Sequence, residues 1–126
     1  NYTGWGNMVF MSANAADVAA MQANFAVNFT NSTISGSVDI DDPLTNPSTY
    51  NFATVNVPQT ALTGNGFSAQ PTVTVNNPGG NTYTFNNETI NGTFYGDNSE
   101  VLAGVLSADY TENGAPGVAI GYYSGH

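Results

Sequence analysis

The sequence predicts an all-β domain, a single small antiparallel up-and-down β-barrel of about eight strands. Apolar and polar residues alternate over many short stretches, which is the period of a half-buried strand. Turn residues separate these stretches at short, regular intervals. The 126 residues suit a single domain that spans 1–126. A meander that closes into a barrel also protects its strand edges from pairing with other chains.

One strand pair is predicted between residues 90 and 106. Its turn is Gly96-Asp97-Asn98-Ser99, in which Gly and Asn tolerate positive φ and Asp and Ser bond nearby amides. The side chains that alternate toward one core are Ile90, Gly92, Phe94, Leu102, Gly104 and Leu106. Glycines opposite large apolar residues suit a small barrel, where one strand approaches another closely.

The first part of the chain predicts three further elements. Residues 5–11 are apolar and strand-like. The Ala-rich stretch that follows predicts a short helix near residues 13–21, because Ala and Met are good helix formers. The alternative for this stretch is a continued strand. Residues 23–40 predict a hairpin in which each strand has one dry face and one wet face.

The second part of the chain predicts more strands separated by turns. Residues 50–57 read as a strand that ends at Pro58. Residues 66–76 and 81–85 predict a hairpin across Asn77-Pro78-Gly79-Gly80. After the 90–106 pair, a turn at 111–116 leads into a last strand over 117–123.

The charge balance is unusual because the chain contains no Lys or Arg. Nine acidic residues give a formal net charge of −9. Nucleic-acid binding depends on Lys and Arg contacts to phosphates, so we expect no nucleic-acid partner. Anionic membrane surfaces are disfavoured for the same reason. No run approaches the roughly 20 apolar residues of a membrane helix, so no membrane-spanning segment is predicted.

Few residues are candidates for metal or cofactor chemistry. Asp39, Asp41 and Asp42 cluster where a strand ends and could supply oxygen ligands to calcium, but the favoured interpretation is a solvated loop in an acidic protein. His126 is the only histidine and could ligate haem or a metal, or could be a chain tail. Because the chain has no Cys and no second His, the usual zinc sites cannot form within it. We therefore expect no required cofactor, with calcium and haem as the ligands to consider.

The sequence predicts a protein that is not an enzyme. It contains no Gly-x-Ser-x-Gly, phosphate-binding loop or dinucleotide fingerprint. Aromatic side chains offer candidates for a protein interface instead, namely Trp5, Tyr122 and Tyr123. Since Tyr122 and Tyr123 are adjacent in a strand, they face opposite sides of the sheet, and one of them is expected outside.

The motif Gly92-Thr93-Phe94-Tyr95-Gly96, with Glu100 and Gly104 after it, resembles a late hairpin of a known family. The family comprises the β-barrel domains of transferrin-binding protein B and related bacterial surface lipoproteins and haemophores. Ala103 and Leu106 depart from its pattern, in which Gly and Phe are usual. The resemblance implies a non-catalytic barrel, extracellular or on the outer surface of a bacterium, that binds a protein or small ligand. The matching residues are turn and core positions, so no binding residue carries over.

The alternative function is a structural subunit that assembles with copies of itself into an extracellular fibre or surface layer. A polar exterior without Lys or Arg suits an inert, protease-resistant assembly. In that case residues 1–11 form an exchangeable N-terminal strand that adds to a neighbouring subunit.

Overall fold

The computed structural model describes residues 1–13, 16–41, 52–76 and 80–126, and the described part contains strands and turns but no helix. Every strand pairing is antiparallel. The nine strands are β1 (Tyr2–Ser12), β2 (Ala16–Asn28), β3 (Thr33–Ile40), β4 (Ala53–Ala61), β5 (Gly66–Ala69), β6 (Thr72–Val75), β7 (Tyr83–Tyr95), β8 (Val101–Glu112) and β9 (Ala115–Gly125). The predicted all-β fold is confirmed.

The strands form one curled sheet in the order β5-β7-β8-β9-β1-β2-β3-β4-β6. The two outermost strands, β5 and β6, are consecutive in the chain and are separated only by Gln70 and Pro71. β5 pairs with β7 and β6 pairs with β4, so one chain segment links both edges of the sheet. Proline lacks an amide hydrogen, which suits the point where the segment changes partner. β5 and β6 together therefore take the place of one strand, so the nine strands correspond to about eight strand positions around the barrel.

β1 lies at the centre of the sheet, between β9 and β2. Its residue Met8 is in register with Ala19 on one side and with Gly121 on the other. The first and last strands are thus direct neighbours, which is how the meander joins its two ends.

The predicted short helix near residues 13–21 is wrong over residues 16–21, which form the first part of β2; residues 14–15 lie outside the described part. Ala19, Met21 and Ala23 alternate into the core with at most 2% exposure. Residues 16–21 pair with β1, and the ladder to β3 begins at Met21. Tertiary pairing therefore overrides the helix propensity of Ala, and the alternative of a continued strand is the observed one.

The predicted hairpin between residues 66–76 and 81–85 is also wrong in its pairing. β5 pairs with residues 90–93 of β7, and β6 pairs with residues 53–56 of β4. The start of β7 pairs with β8 instead. Residues 77–79 of the predicted turn lie outside the described part.

The core contains the predicted inward side chains of the 90–106 hairpin. The structure pairs Ile90 with Leu106 and Phe94 with Leu102, and all four side chains are buried. Within the described residues the structure contains no helix of the length and apolarity that a membrane span requires.

Candidate functional site: the outer face of β2, β1, β9 and β8

The candidate calcium residues lie where β3 ends. Asp39 is half-buried, and its Oδ1 accepts a hydrogen bond of 3.0 Å from Thr54 Oγ1. Asp41 is 4% exposed, and its amide donates to the carbonyl oxygen of Ala20. Asp42 lies outside the described residues. Among the residues that are described, no three His, Asp or Glu side chains come together as a metal-binding group.

His126 is exposed and continues the pairing between the first and last strands. Its amide donates to the Thr3 carbonyl and its carbonyl accepts from the Thr3 amide, both at 3.2 Å. The backbone therefore holds this residue beside β1. Its surroundings include Trp5 and Val101, which border an open depression at this end of the sheet.

The two adjacent tyrosines of β9 face opposite sides of the sheet, as predicted. Tyr122 is 61% exposed and accepts a hydrogen bond from Asn7 Nδ2 at 3.3 Å. Tyr123 is 2% exposed and belongs to the core. Of the three interface candidates, the structure therefore places Trp5 and Tyr122 outside, and Tyr123 has no surface to offer a partner.

Tyr123 fills space that two glycines leave open. Gly92, Gly104 and Tyr123 are successive partners across β7, β8 and β9. The tyrosine crosses β8 and donates a hydrogen bond of 2.6 Å to the carbonyl of Asn91 on β7. A Cβ on Gly104 would lie 2.6 Å from the hydroxyl oxygen, and one on Gly92 would lie 2.8 Å from it. Burial raises the pKa of Tyr123 far above its ordinary value.

Trp5 and Tyr122 belong to a larger group of apolar side chains on the outside of four neighbouring strands, which we call the apolar outer face. Seven of its members are at least 41% exposed, and Val9 is half-buried. Its members are Trp5, Val9 and Met11 on β1, Val18 on β2, Val105 on β8, and Val118, Ile120 and Tyr122 on β9.

The strand registers bring five members of the apolar outer face together. Val9 lies at the centre, in register with Val18 of β2 and Ile120 of β9. Met11 pairs with Val118 one row further along. Directly opposed residues on one sheet face have Cβ atoms about 5 Å apart, so these side chains contact one another. They form an apolar patch on the outside of the curled sheet, and exposed apolar patches can mark interaction sites.

A signal for this face exists in the sequence. Residues 8–11 and 118–120 are uninterrupted apolar runs, and such a run puts apolar side chains on both faces of a strand. The adjacency of these two runs depends on the pairing of β1 with β9, which sequence reasoning did not reveal.

One charged residue borders the apolar outer face. Among the outward positions of β1, β2, β8 and β9, which are all described, Asp109 is the only acidic residue. It is in register with Val118, and its Oδ2 accepts a hydrogen bond of 2.8 Å from Asn87 Nδ2. An open depression of about 440 Å³ adjoins it, with Met11 and Val118 of the apolar outer face in its wall.

Two more carboxylates lie at the same end of the sheet, on its inner side. Glu112 ends β8, and Asp17 is near the start of β2. Burial raises the pKa of Tyr110 above its ordinary value, and Glu112 and Asp17 raise it further through their negative charges. Asp17, Asp109 and Glu112 form what we call the acidic end. The sequence supplies no Lys or Arg to neutralise it.

Comparison with known proteins identifies the family. The family described as the C-lobe and N-lobe β-barrels of Tf-binding protein B matches residues 2–122, nearly the whole chain. A comparison with curated proteins gave no match. The family match covers all nine strands but the last residues of β9, and its barrel agrees with the curled antiparallel sheet. The chain therefore belongs to the family of transferrin-binding protein B β-barrel domains.

Proposed function

We propose that this domain is a non-catalytic binding module that holds a protein partner outside a bacterial cell or on its outer surface. The observation that carries the proposal is the family match over residues 2–122, since the family is one of binding rather than catalytic barrels. The structure adds a surface suited to a protein contact, because the apolar outer face includes the exposed aromatic side chains Trp5 and Tyr122.

The first test measures binding by the purified domain. The domain is immobilised and soluble proteins are passed over it, with transferrin first because the family name specifies it. Saturable binding of at least one protein supports the proposal. The proposal is contradicted if the domain binds none of these proteins but turns over a substrate. Antibody labelling of intact cells, compared with lysed cells, tests the proposed location separately.

Calcium and haem are the small ligands to titrate in the same experiment. Asp39 and Asp41 lie near each other at the end of β3, so calcium deserves a direct test. We expect the melting temperature to be the same in calcium and in chelator, and a rise with calcium would assign a cation site to this region.

Self-assembly into a fibre or surface layer is the second candidate function. The apolar outer face favours it, because such a face can bury itself against a neighbouring copy. If residues 1–11 exchange between copies, the incoming β1 would have to form the two ladders that β1 forms here with β2 and β9. Light scattering and electron microscopy at low and high salt distinguish the candidates: regular assemblies support this one, and a single 13.1 kDa species removes it.

A further inference from the structure

We propose that the apolar outer face and the depression at its acidic end form one docking surface for a basic amphipathic segment of a protein partner. In this arrangement, apolar side chains of the partner cover Val9, Val18 and Ile120, and a Lys or Arg enters the depression beside Asp109. This inference rests on the proposed protein-binding function and assigns it a surface and a partner chemistry.

The apolar half of the surface is defined by exposure and register. Val18 is 62% exposed and Ile120 is 45% exposed, and both flank Val9 in one row across three strands. The sheet keeps their backbone groups paired on both sides, so a partner gains by covering side chains rather than by adding a strand.

The charged half of the surface adjoins the apolar half directly. Met11 and Val118 belong both to the apolar outer face and to the wall of the 440 Å³ depression. Asp109 lines the same depression together with Asn86 and Pro116. The aliphatic stem of Lys or Arg packs on apolar walls while its charged end reaches a carboxylate, which matches this lining.

The charge of the chain decides which occupant fits. A second copy also has a formal charge of −9 and no Lys or Arg, so it brings no cation to Asp109 and is repelled overall. An anionic lipid surface is repelled likewise. A protein segment with Lys or Arg beside apolar side chains is attracted by the acidic end and complements both halves of the surface.

The experiment uses a designed helical peptide with leucines on one face and lysines on the other. Trp5 is the only tryptophan and lies in the apolar outer face, so its emission reports contact. We expect the peptide to shift Trp5 emission to the blue and to protect it from acrylamide. A peptide with glutamates in place of lysines, and one with serines in place of leucines, should both bind at least about tenfold more weakly.

Matched variants separate this surface from general attraction between opposite charges. Ile120→Thr and Tyr122→Ser should each weaken binding of the Leu/Lys peptide by about tenfold, whereas Tyr95→Ser removes a similarly exposed tyrosine at the end of β7 and should not. Asp109→Asn should weaken binding more than Asp97→Asn, which changes the charge equally in a turn away from this surface. Near-ultraviolet circular dichroism checks that each variant is folded.

Three outcomes would overturn the inference. Equal binding by Ile120→Thr and Tyr95→Ser would show that the apolar outer face is not used. Dimers of the wild-type domain that Ile120→Thr converts to monomers would assign the face to a second copy. A Trp5 shift with zwitterionic vesicles but not with the peptide would assign it to a lipid surface. If the domain still captures a protein from the panel in these cases, the proposed function stands and only the docking surface is wrong.

Discussion

Tyr123 is the residue on which the packing of the last three strands depends. Its ring is buried, and its hydroxyl crosses Gly104 to bond the Asn91 carbonyl at 2.6 Å. Three strands are thereby tied together by one side chain. The glycines at positions 92 and 104 are required because a larger residue at either would occupy the same space.

Replacing Tyr123 with phenylalanine tests this hydrogen bond. We expect Tyr123→Phe to lower the free energy of unfolding by about 1–2 kcal/mol, because the part-buried hydrogen bond to the Asn91 carbonyl is lost. Chemical denaturation measures the change. Tyr122→Phe is the control: it removes only the exposed hydrogen bond with Asn7 and should alter stability by less than about 0.5 kcal/mol.

The same variant should change the response to alkaline pH. An unfolded tyrosine releases its proton near the ordinary pKa of 10.0, whereas the raised pKa keeps folded Tyr123 protonated. Unfolding therefore releases a proton above pH 10, and stability falls as the pH rises, by at most about 1.4 kcal/mol per pH unit for this residue. We expect a shallower fall in Tyr123→Phe. Parallel slopes for the two proteins would contradict the assignment.

The two glycines give a second residue-scale prediction. A Cβ on Gly104 would lie 1.8 Å from the Asn91 carbonyl oxygen, which is backbone and cannot move aside, whereas one on Gly92 would meet only side-chain atoms. Gly104→Ala should therefore lower the free energy of unfolding by about 2 kcal/mol or more. Gly92→Ala should lower it by less. Adding Tyr123→Phe should rescue part of the Gly92→Ala loss and little of the Gly104→Ala loss. Equal rescue in a double-mutant cycle would refute this reading.

Among the elements, the β8–β9 hairpin has the most specific turn. Asn113 and Gly114 both have positive φ, at 52° and 85°, and Glu112 pairs with Ala115 around them. This geometry is the two-residue turn that matches the twist of a hairpin. The Asn113 side chain also accepts a hydrogen bond of 2.9 Å from the Thr82 amide, so the turn is fastened to the chain just before β7.

Substituting the turn asparagine should therefore cost more than a surface change. We expect Asn113→Ala to lower the free energy of unfolding by about 1–3 kcal/mol, through loss of the two side-chain hydrogen bonds with Thr82 and Asn81 and strain at positive φ. Asn31→Ala, in the β2–β3 turn, is the control, because Asn31 does not have a positive φ and its backbone amide, not its side chain, donates the described bond to Asn28. Similar melting temperatures for both variants would contradict the argument.

Sequence reasoning predicted elements best where a strand pair is local. The 90–106 hairpin was predicted with the correct inward residues because its turn chemistry and its alternation agree. The prediction was wrong at residues 16–21. Ala19 and Met21 alternate with outward residues as in a strand, but the helix propensity of Ala and Met favoured a helix. Sequence reasoning also failed where β5 and β6 pair with strands distant in the chain, since no local pattern encodes such partners.

For the candidate site, the sequence indicated residues but not their arrangement. Trp5 and Tyr122 were identified from their chemistry alone. The continuity of the apolar outer face depends on the register of β1 with β9, which only the three-dimensional pairing defines. The proximity of Asp109 to Val118 depends on a second register, that of β8 with β9.

At the scale of the whole molecule, a formal charge of −9 without Lys or Arg makes self-repulsion a general property. Salt screens exposed charges over about 10 Å at 0.1 M, so we expect the melting temperature to rise as NaCl increases from about 0.01 to 0.2 M. Asp97→Lys, which makes the net charge less negative by two, should reduce this rise. A melting temperature that falls with NaCl would contradict the expectation.

The position of β1 between β9 and β2 has a consequence for how the chain is made. Met8 and Gly121 are neighbours in space although more than a hundred residues separate them. During synthesis, β1 can pair with β2 early, but its ladder with β9 cannot form until β9 has left the ribosome. Contacts of such long sequence separation form slowly. The fold therefore cannot close before the last strand has been made.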